Sequence, residues 1–498
     1  MPTPLRLGIV LLRSATIPAM NNAATFRTLA DLRQPPGLPW LGHALQLKPA
    51  NLHLQLESWA QEFGKFFCIQ VAGRRLLAVN DSGLAQQILR DRPDGFRRIR
   101  QLEPVAQDLG MNGLFSAEGE RWRNQRRVWL ATLNAQQLRS FHEALMLITR
   151  KLLRRWQAAA DRGTVVDVAS DLMRYTVDVT MQFALGHEAN TLEMGEDVIQ
   201  RHLDKIFPAL GRRVRGIFPY WRYFKLPQDH ALDRALAALR VEVGRLIDNA
   251  RERLRHNPTR RVVPTCFLEA LLVAHDQDGA AISDEDVFAN TMTVLLGGED
   301  TTANTMAWLI HCVSGRPDVY GALRNEADAL LDDSAAPDPE VPRADRFPHL
   351  LRITDATINE TLRLYPVAPM FFLETLRDTT FHDLAVPAGT QIMLLTRAAA
   401  GSSPHSHPPP RFEPAEDVAK SDAGPGRAAT LPFGYGPRMC PGRNLALAEL
   451  RSAVLMLARN FDLEAVPGPQ PVAEKFGFTL VPEHLRVRFH RRVVTTAD

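Results

Sequence analysis

The sequence predicts a mainly α-helical protein with small β-sheets. Apolar residues recur at helical spacing over 138–160, 166–185, 230–254, 284–312 and 350–364. Strand-like runs are short and gathered near 66–80, 373–396 and 476–489. No internal repeat or composition break divides the chain, so its 498 residues read as one large folded unit behind a short lead-in.

Residues 1–34 read as an N-terminal tail. The apolar run at 7–12 lies between Arg6 and Arg13 and is too short to span a bilayer, and Met20 offers an alternative start to Met1. Pro35-Pro36-Gly37-Leu38-Pro39 is stiff and extended and marks the entrance to a single domain over 35–498. Its β-rich part covers 63–81, with a hairpin turning at Ala72-Gly73-Arg74, and 373–396; helices fill the remainder.

Composition narrows the function. With 59 basic and 56 acidic residues the net charge is only +3, which speaks against a dedicated nucleic-acid binder. The cysteines, Cys68, Cys266, Cys312 and Cys440, are far apart and form no C-x-x-C pair. That excludes a disulfide framework and the usual zinc spacings, and fits a reducing, cytoplasmic setting.

Cys440 lies in Phe433-Gly434-Tyr435-Gly436-Pro437-Arg438-Met439-Cys440-Pro441-Gly442, a glycine- and proline-rich loop just before a helical run at 443–460. Free N–H groups and the helix dipole at that position favour a thiolate, and Arg438 adds positive charge. A lone cysteine beside an apolar helix is ordinarily a small core residue. A rigid loop, a helix start and an arginine together favour a ligand.

Three other groupings carry chemistry. Gly297-Gly298-Glu299-Asp300-Thr301-Thr302 interrupts what reads as one long helix over 284–312. Each interior glycine costs roughly 1 kcal/mol relative to alanine. Two missing side chains would let a large flat ligand reach the backbone, with a carboxyl (Asp300) and a hydroxyl (Thr301) beside it. Glu299, on another face, is expected at the surface or in a salt bridge. On its own the segment reads as a kinked core helix. Glu360 and Arg363 form an i,i+3 pair in an apolar helix. Trp122 and Arg126, at i,i+4, present an indole N–H and a guanidinium suited to one anionic group.

Phe433-x-x-Gly436-x-Arg438-x-Cys440-x-Gly442, Gly297-Gly298-x-Asp300-Thr301, Glu360-x-x-Arg363 and Trp122-x-x-x-Arg126 together resemble the cytochrome P450 family, with the motifs in the expected order. The resemblance implies a triangular, helix-rich fold with haem b buried between an oxygen-activation helix and the cysteine loop. Cys440 would be the axial ligand of the haem iron. Phe433, Gly434, Gly442, Gly297 and Gly298 would line the cofactor, and Trp122, Arg126 and Arg438 would hold its propionates. Thr301 would hydrogen-bond the dioxygen, Asp300 would relay protons to it, and Glu360–Arg363 would brace the ligand loop.

The same resemblance implies a monooxygenase that hydroxylates or epoxidises a lipophilic substrate of fatty acid, terpenoid or polyketide type. Electrons would come from a ferredoxin or flavodoxin and its NAD(P)H-dependent reductase, docking near Arg126, Arg127 and Arg438. The segment 212–225, which interleaves arginines with Phe218, Tyr220, Trp221 and Phe224, falls where the family places its access lid. It could cover a channel, touch a membrane surface as a peripheral contact, or simply pack; no transmembrane anchor is expected. A peroxide-driven peroxygenase, a hydroperoxide-rearranging enzyme and a non-catalytic haem sensor are the alternatives.

Three departures from the family pattern stand out. Glu416 occupies a position where arginine is usual, so Arg411 or Arg397 is expected to complete the Glu360–Arg363 network, with Glu416 turned away. Leu373 stands where a basic propionate partner is common. Pro441, after the ligand, lacks an N–H that could otherwise reach the sulfur.

Overall fold

The computed structural model describes residues 26–492, apart from 72, 196, 217, 278–281, 331–339, 344–347, 408–409 and 415–429. Glu416 therefore lies outside the described residues, as does most of the leading tail. Residues 26–34 already touch the body: Arg27 pairs with Asp383 at 2.6 Å and Leu32 is buried.

The chain opens with α1 (Leu52–Phe63), the hairpin β1 (Phe66–Val71) and β2 (Arg74–Val79), and α2 (Ser82–Arg90), whose first turn is capped by Asp81. A short β3 (Phe96–Arg98) and α3 (Leu102–Asp108) lead into the helical body. That body contains α4 (Gly119–Thr132), α5 (Ala135–Asp161), α6 (Val168–Leu185), α7 (Val198–Arg215), α8 (Pro227–His256) and α9 (Phe267–Gln277). Next come α10 (Asp284–Gly298), α11 (Asp300–Ser314), α12 (Pro317–Ala329) and α13 (Arg352–Leu364). β4 (Phe371–Thr375) and β5 (Gln391–Leu394) return to the first sheet, and α14 (Arg443–Asn460) follows the cysteine loop. The chain ends in β6 (Phe461–Ala465), β7 (Ala473–Phe476), β8 (Leu480–Glu483) and β9 (Val487–Arg491).

The main sheet has the order β1-β2-β5-β4-β3, with β2 and β5 parallel and the other pairs antiparallel. Its register sets Arg98 opposite Leu373 and Arg97 opposite Glu374. Side chains from α4 to α14 fill one extensive apolar core, while smaller clusters lie on either face of the sheet. Among the described residues no helix is long and apolar enough to cross a membrane.

Two expectations need correction. The 284–312 helix is not continuous: it stops at Gly298 and restarts at Asp300, with Glu299 at φ −82° and ψ −75°. Of the two places expected for Glu299, the surface is ruled out, since the residue is 2% exposed. Face assignments made on an unbroken helix do not survive a bend at that residue.

Candidate active site

The cysteine loop is shaped by its own backbone and by α2. The Cys440 N–H donates to the Phe433 carbonyl at 2.9 Å, closing the loop across Gly434 and Gly436, whose φ angles are +73° and +70°. Gly436 is the tighter of the two, because a Cβ there would lie 2.7 Å from the Leu89 carbonyl oxygen and 2.8 Å from the Arg90 Cα. Arg90 adds a 3.2 Å hydrogen bond to the Tyr435 hydroxyl. The loop is thus seated on the C-terminal end of α2, with Gly436 as the contact point.

Burial pushes the Cys440 thiol above its usual pKa, and this outweighs the lowering influence of the Gly442 and Arg443 N–H groups and of Arg126 and Arg443. The expectation of an acidic thiol is therefore corrected: desolvation wins over the helix end. The cations that lower it are Arg126 and Arg443; Arg438 is turned to Glu118 and the Ala117 carbonyl. A cation bonded directly to sulfur would reverse the balance, since metal coordination stabilises the thiolate outright. Among the described residues no three His, Cys, Asp or Glu side chains are grouped to hold a metal ion. A single sulfur donor suits an iron that arrives already held by a macrocycle.

A group of buried guanidiniums lies beside the loop. The Arg438 side chain is 3% exposed and its guanidinium carbon stands 4.5 Å from the Trp122 ring centroid. Arg98 lies 4.1 Å over the Phe115 ring, and Arg92 is 3% exposed. Burial lowers the basicity of all three, of Arg438 to about 10; repulsion from neighbouring arginines adds to this for Arg92 and Arg438, and Glu118 opposes it for all three. Arg126 is lowered by burial as well. Nε and Nη2 of Arg92, and Nε of Arg98 and of Arg438, are buried without hydrogen-bond partners. Guanidiniums stay charged. The unspent donors and excess positive potential fit a ligand carrying two carboxylates, as haem does.

Arg92 and Arg98, which the sequence reading did not single out, belong to the same group of guanidiniums as Arg438 and Arg126. Leu373 is fully buried in an apolar cluster, and the cation of this region comes from the strand beside it, Arg98. Position along the chain gave no sign of this, because strand register alone brings the two together.

The broken helix supplies a second set of polar groups. At the break and in the first turns of α11, side chains bond back to carbonyls one turn earlier, the Gly297 carbonyl at the break among them. Thr301 Oγ1 donates to the Gly297 carbonyl at 2.8 Å, Asn304 Nδ2 to that of Asp300 at 2.8 Å, and Thr305 Oγ1 to that of Thr301 at 2.8 Å. The two glycines have different reasons. A Cβ on Gly297 meets no atom within 4 Å, whereas one on Gly298 would fall 2.5 Å from Thr180 Oγ1 on α6. Only Gly297 opens onto free space; Gly298 allows helix packing. Asp300 opens α11, where the helix dipole favours a carboxylate. α11 in turn packs against α14, the helix that begins just after Cys440.

Glu360 and Arg363 form a fully internal pair. Arg363 donates from Nε and Nη2 to the two Glu360 oxygens, both at 2.6 Å, with side chains 7% and 0% exposed. Among the described residues the backbone at 411–413 and Ser402 add to the pair. The Arg411 carbonyl accepts from Arg363 at 3.0 Å, the Glu413 N–H donates to Glu360 at 3.1 Å, and Ser402 Oγ accepts from Arg363 at 3.0 Å. Arg397 serves elsewhere, bonding both Glu57 oxygens at 2.7 Å and Glu474 at 2.9 Å.

Two polar ties join α4 to α10. Asp286 accepts from Arg121 at 2.7 Å and from Gln125 at 2.8 Å, and Asn290 Oδ1 accepts from Trp129 Nε1 at 2.7 Å. The helix bearing Trp122 and Arg126 is therefore fixed to the helix bearing Gly297.

A sulfur donor on a glycine-shaped loop, buried guanidiniums and a helix opened beside a hydroxyl define a haem-thiolate protein. The sequence matches the family model Cytochrome P450 over residues 32–489, and the chain belongs to the cytochrome P450 family, the haem-dependent monooxygenases. It is 27% identical to the cyclooctat-9-en-7-ol 5-monooxygenase of Streptomyces melanosporofaciens, covering 92% of this chain and 94% of the relative. It is 26% identical to the pentalenene oxygenase of Streptomyces avermitilis, covering 92% and 97%. The crystal structure of the cytochrome P450DA heme domain shares the fold with a TM-score of 0.79 at 23% identity, covering 94% of this chain and 98% of that one.

Proposed function

We propose that this P450 inserts one oxygen atom from dioxygen into a lipophilic substrate, by hydroxylation or epoxidation, and that Cys440 would supply the sulfur that holds the iron of haem b. The observation that carries the reading is the Cys440 loop, where a closed turn and two N–H groups aim at one half-buried sulfur. Bound haem with a thiolate ligand supplies the redox chemistry, its sulfur favouring O–O cleavage. The chain's own groups do the rest. Arg92, Arg98, Arg126, Arg438 and Trp122 hold the propionates, Phe433, Gly434, Gly442 and Gly297 line the cofactor, and Glu360–Arg363 braces the loop through the backbone at 411–413. Asp300 delivers protons by way of water, and Thr301 positions them with a hydroxyl whose own hydrogen is committed to Gly297. Gly298 falls out of the cofactor lining and serves packing.

A terpenoid-like substrate is favoured within the lipophilic class, because the two Streptomyces relatives are named for such molecules and the 100–114 and 366–373 segments are largely apolar. Electrons from a ferredoxin or flavodoxin, with its NAD(P)H-dependent reductase, would enter by a basic face. Arg438 is too buried to belong to that face, but Arg90, Arg127 and Arg443 are exposed. The Asp300–Thr301 pair argues against peroxide-driven, rearranging or sensing roles, which need no proton delivery. Cys440→Ser tests the assignment: the thiolate-type absorption of the reduced carbon-monoxide complex should vanish, and its survival would remove the central claim. Turnover with peroxide but never with reductase and dioxygen would favour the peroxygenase reading.

A further inference from the structure

We propose that Thr479 is a positioning residue for Asp300, acting through Asn304. It ties the turn between β7 and β8 to the break between α10 and α11, so that a guest in the pocket sets the placement of the carboxyl that delivers protons; this rests on the proton-delivery reading above. Asn304 Nδ2 carries two hydrogens, and both are committed. One goes to the Asp300 carbonyl at 2.8 Å and the other to Thr479 Oγ1 at 3.1 Å. Asn304 and Thr479 are each 4% exposed, so bulk water does not replace either bond when it breaks. Asp300 is the first residue of α11, and the side chain that holds its carbonyl is therefore oriented from the turn.

The base of the turn is anchored separately. The Leu480 N–H donates to the Val367 carbonyl at 3.0 Å, and Trp308 Nε1 donates to the Leu480 carbonyl at 3.0 Å. Trp308 lies one turn beyond Asn304 on the same face of α11, and its ring stacks on Tyr365 with centroids 4.1 Å apart. Removing the Thr479 hydroxyl therefore leaves the hairpin in place and cuts the thread that runs to Asp300.

Phe478, next to Thr479, is 40% exposed, and its ring meets that of Phe115 with centroids 6.1 Å apart. Phe115 belongs to a loop that packs on α10. A Cβ on Gly113 would lie 2.3 Å from Thr293 Oγ1 and 2.5 Å from the Ala289 carbonyl, and the Leu114 N–H reaches Asn290 Oδ1 at 3.1 Å. The loop thus grips the broken helix at 289–293 and the turn grips it at Asn304, roughly 16 Å further along at about 1.5 Å per residue. The two rings join these grips, so they span the stretch that holds Gly297 and Thr301. A guest filling the space at Gly297 lies against Phe478, and the adjoining Thr479 hydroxyl passes its position to Asn304 and so to Asp300.

The test uses the haem-loaded enzyme with phenylimidazole as the guest. Hydrogen exchange of the 300–305 amides is recorded with and without the azole, together with the infrared carboxyl bands of Asp300, identified by their loss in Asp300→Asn. In wild type the azole should slow exchange at 300–305 by up to about tenfold, the factor one neutral hydrogen bond is worth, and should shift the Asp300 bands. Thr479→Val should bind the azole with little change in Kd and show the same protection at 113–115, yet give neither response at Asp300. Thr479→Ser, which keeps the hydroxyl, should restore both. Responses at 300–305 that survive in Thr479→Val would overturn the link, as would their absence in wild type while 113–115 is protected. Product formation fully coupled to NAD(P)H consumption in Asp300→Asn would instead bring down the proton-delivery reading, and the role given to Thr479 with it.

Discussion

Arg98 lies directly opposite Leu373 in the antiparallel pairing of β3 and β4. The side chains of two directly opposed residues share one face of the sheet, so a cation on β3 stands beside the leucine on β4. Its neighbours Glu118, Phe115 and Arg438 come from the start of α4, the loop before it and the cysteine loop.

Arg98→Leu should leave the fold intact and weaken haem retention. Loss of one charge-assisted hydrogen bond is worth about 1.5–3 kcal/mol, or roughly 10- to 100-fold in affinity. Haem transfer to apomyoglobin gives the readout. The double variant Arg98→Leu, Leu373→Arg should recover part of the loss, because the two side chains share one face of the sheet.

Gly297 and Gly298 should part company on substitution. Gly298→Ala forces a Cβ onto Thr180 and should lower thermal stability by about 1–3 kcal/mol. Adding Thr180→Ala should restore it. Gly297→Ala should melt no lower than wild type, because helix propensity improves and nothing is struck. It should instead narrow the open space and weaken binding of bulky ligands, read from spectral titration.

Glu360→Gln should be far more damaging than its conservative chemistry suggests. Removing one member of a buried ion pair costs about 3–5 kcal/mol, because the partner charge is left behind. The Arg411 carbonyl and Ser402 hydroxyl cannot neutralise Arg363. The expected outcome is poor haem incorporation and an early melting transition, whereas Ser402→Ala should cost only about 1 kcal/mol.

Asp300→Asn and Thr301→Ala should leave ligand binding and reduction nearly intact while lowering the ratio of product formed to NAD(P)H consumed. Peroxide released into solution is the accompanying measurement. Full coupling in both variants would remove these two residues from proton delivery.

Asp286 makes one link sensitive to acid. Burial works to raise its carboxyl pKa, but the Ser283 N–H and hydroxyl and the Arg121 guanidinium hold it below the usual value. A depressed folded pKa means stability that is present above the unfolded value, about 3.9, and lost as pH falls through the lower folded value. Melting temperature measured between about pH 6 and pH 3 should therefore fall less steeply for Asp286→Asn than for wild type.

Much of the site was legible because its parts are local. The Cys440 loop is a ten-residue run, Glu360 and Arg363 share one turn, and Asp300–Thr301 follow their glycines at once. The hairpin at 66–79 was equally plain. What escaped depended on register or on a helix break. Arg98 needed the β3–β4 pairing, and Glu299 needed the interruption between Gly298 and Asp300. Arg411 or Arg397 was expected to complete the Glu360–Arg363 network, and Arg397 lies elsewhere. Its actual partners, Glu57 and Glu474, come from α1 and β7, which no short-range pattern joins.

The ties from Asp286 and Asn290 to α4 have a mechanical meaning. α10 carries the opening at Gly297, and α4 carries Trp122 and Arg126, yet the two helices are bolted together at two successive turns of α10. If Trp122 and Arg126 moor the cofactor as proposed above, a bulky guest that shoves α10 sideways must drag those moorings along with it. The distance from guest to cofactor is then held by the carriage as a whole, so a change in the guest's size is felt as a tilt of the entire seat.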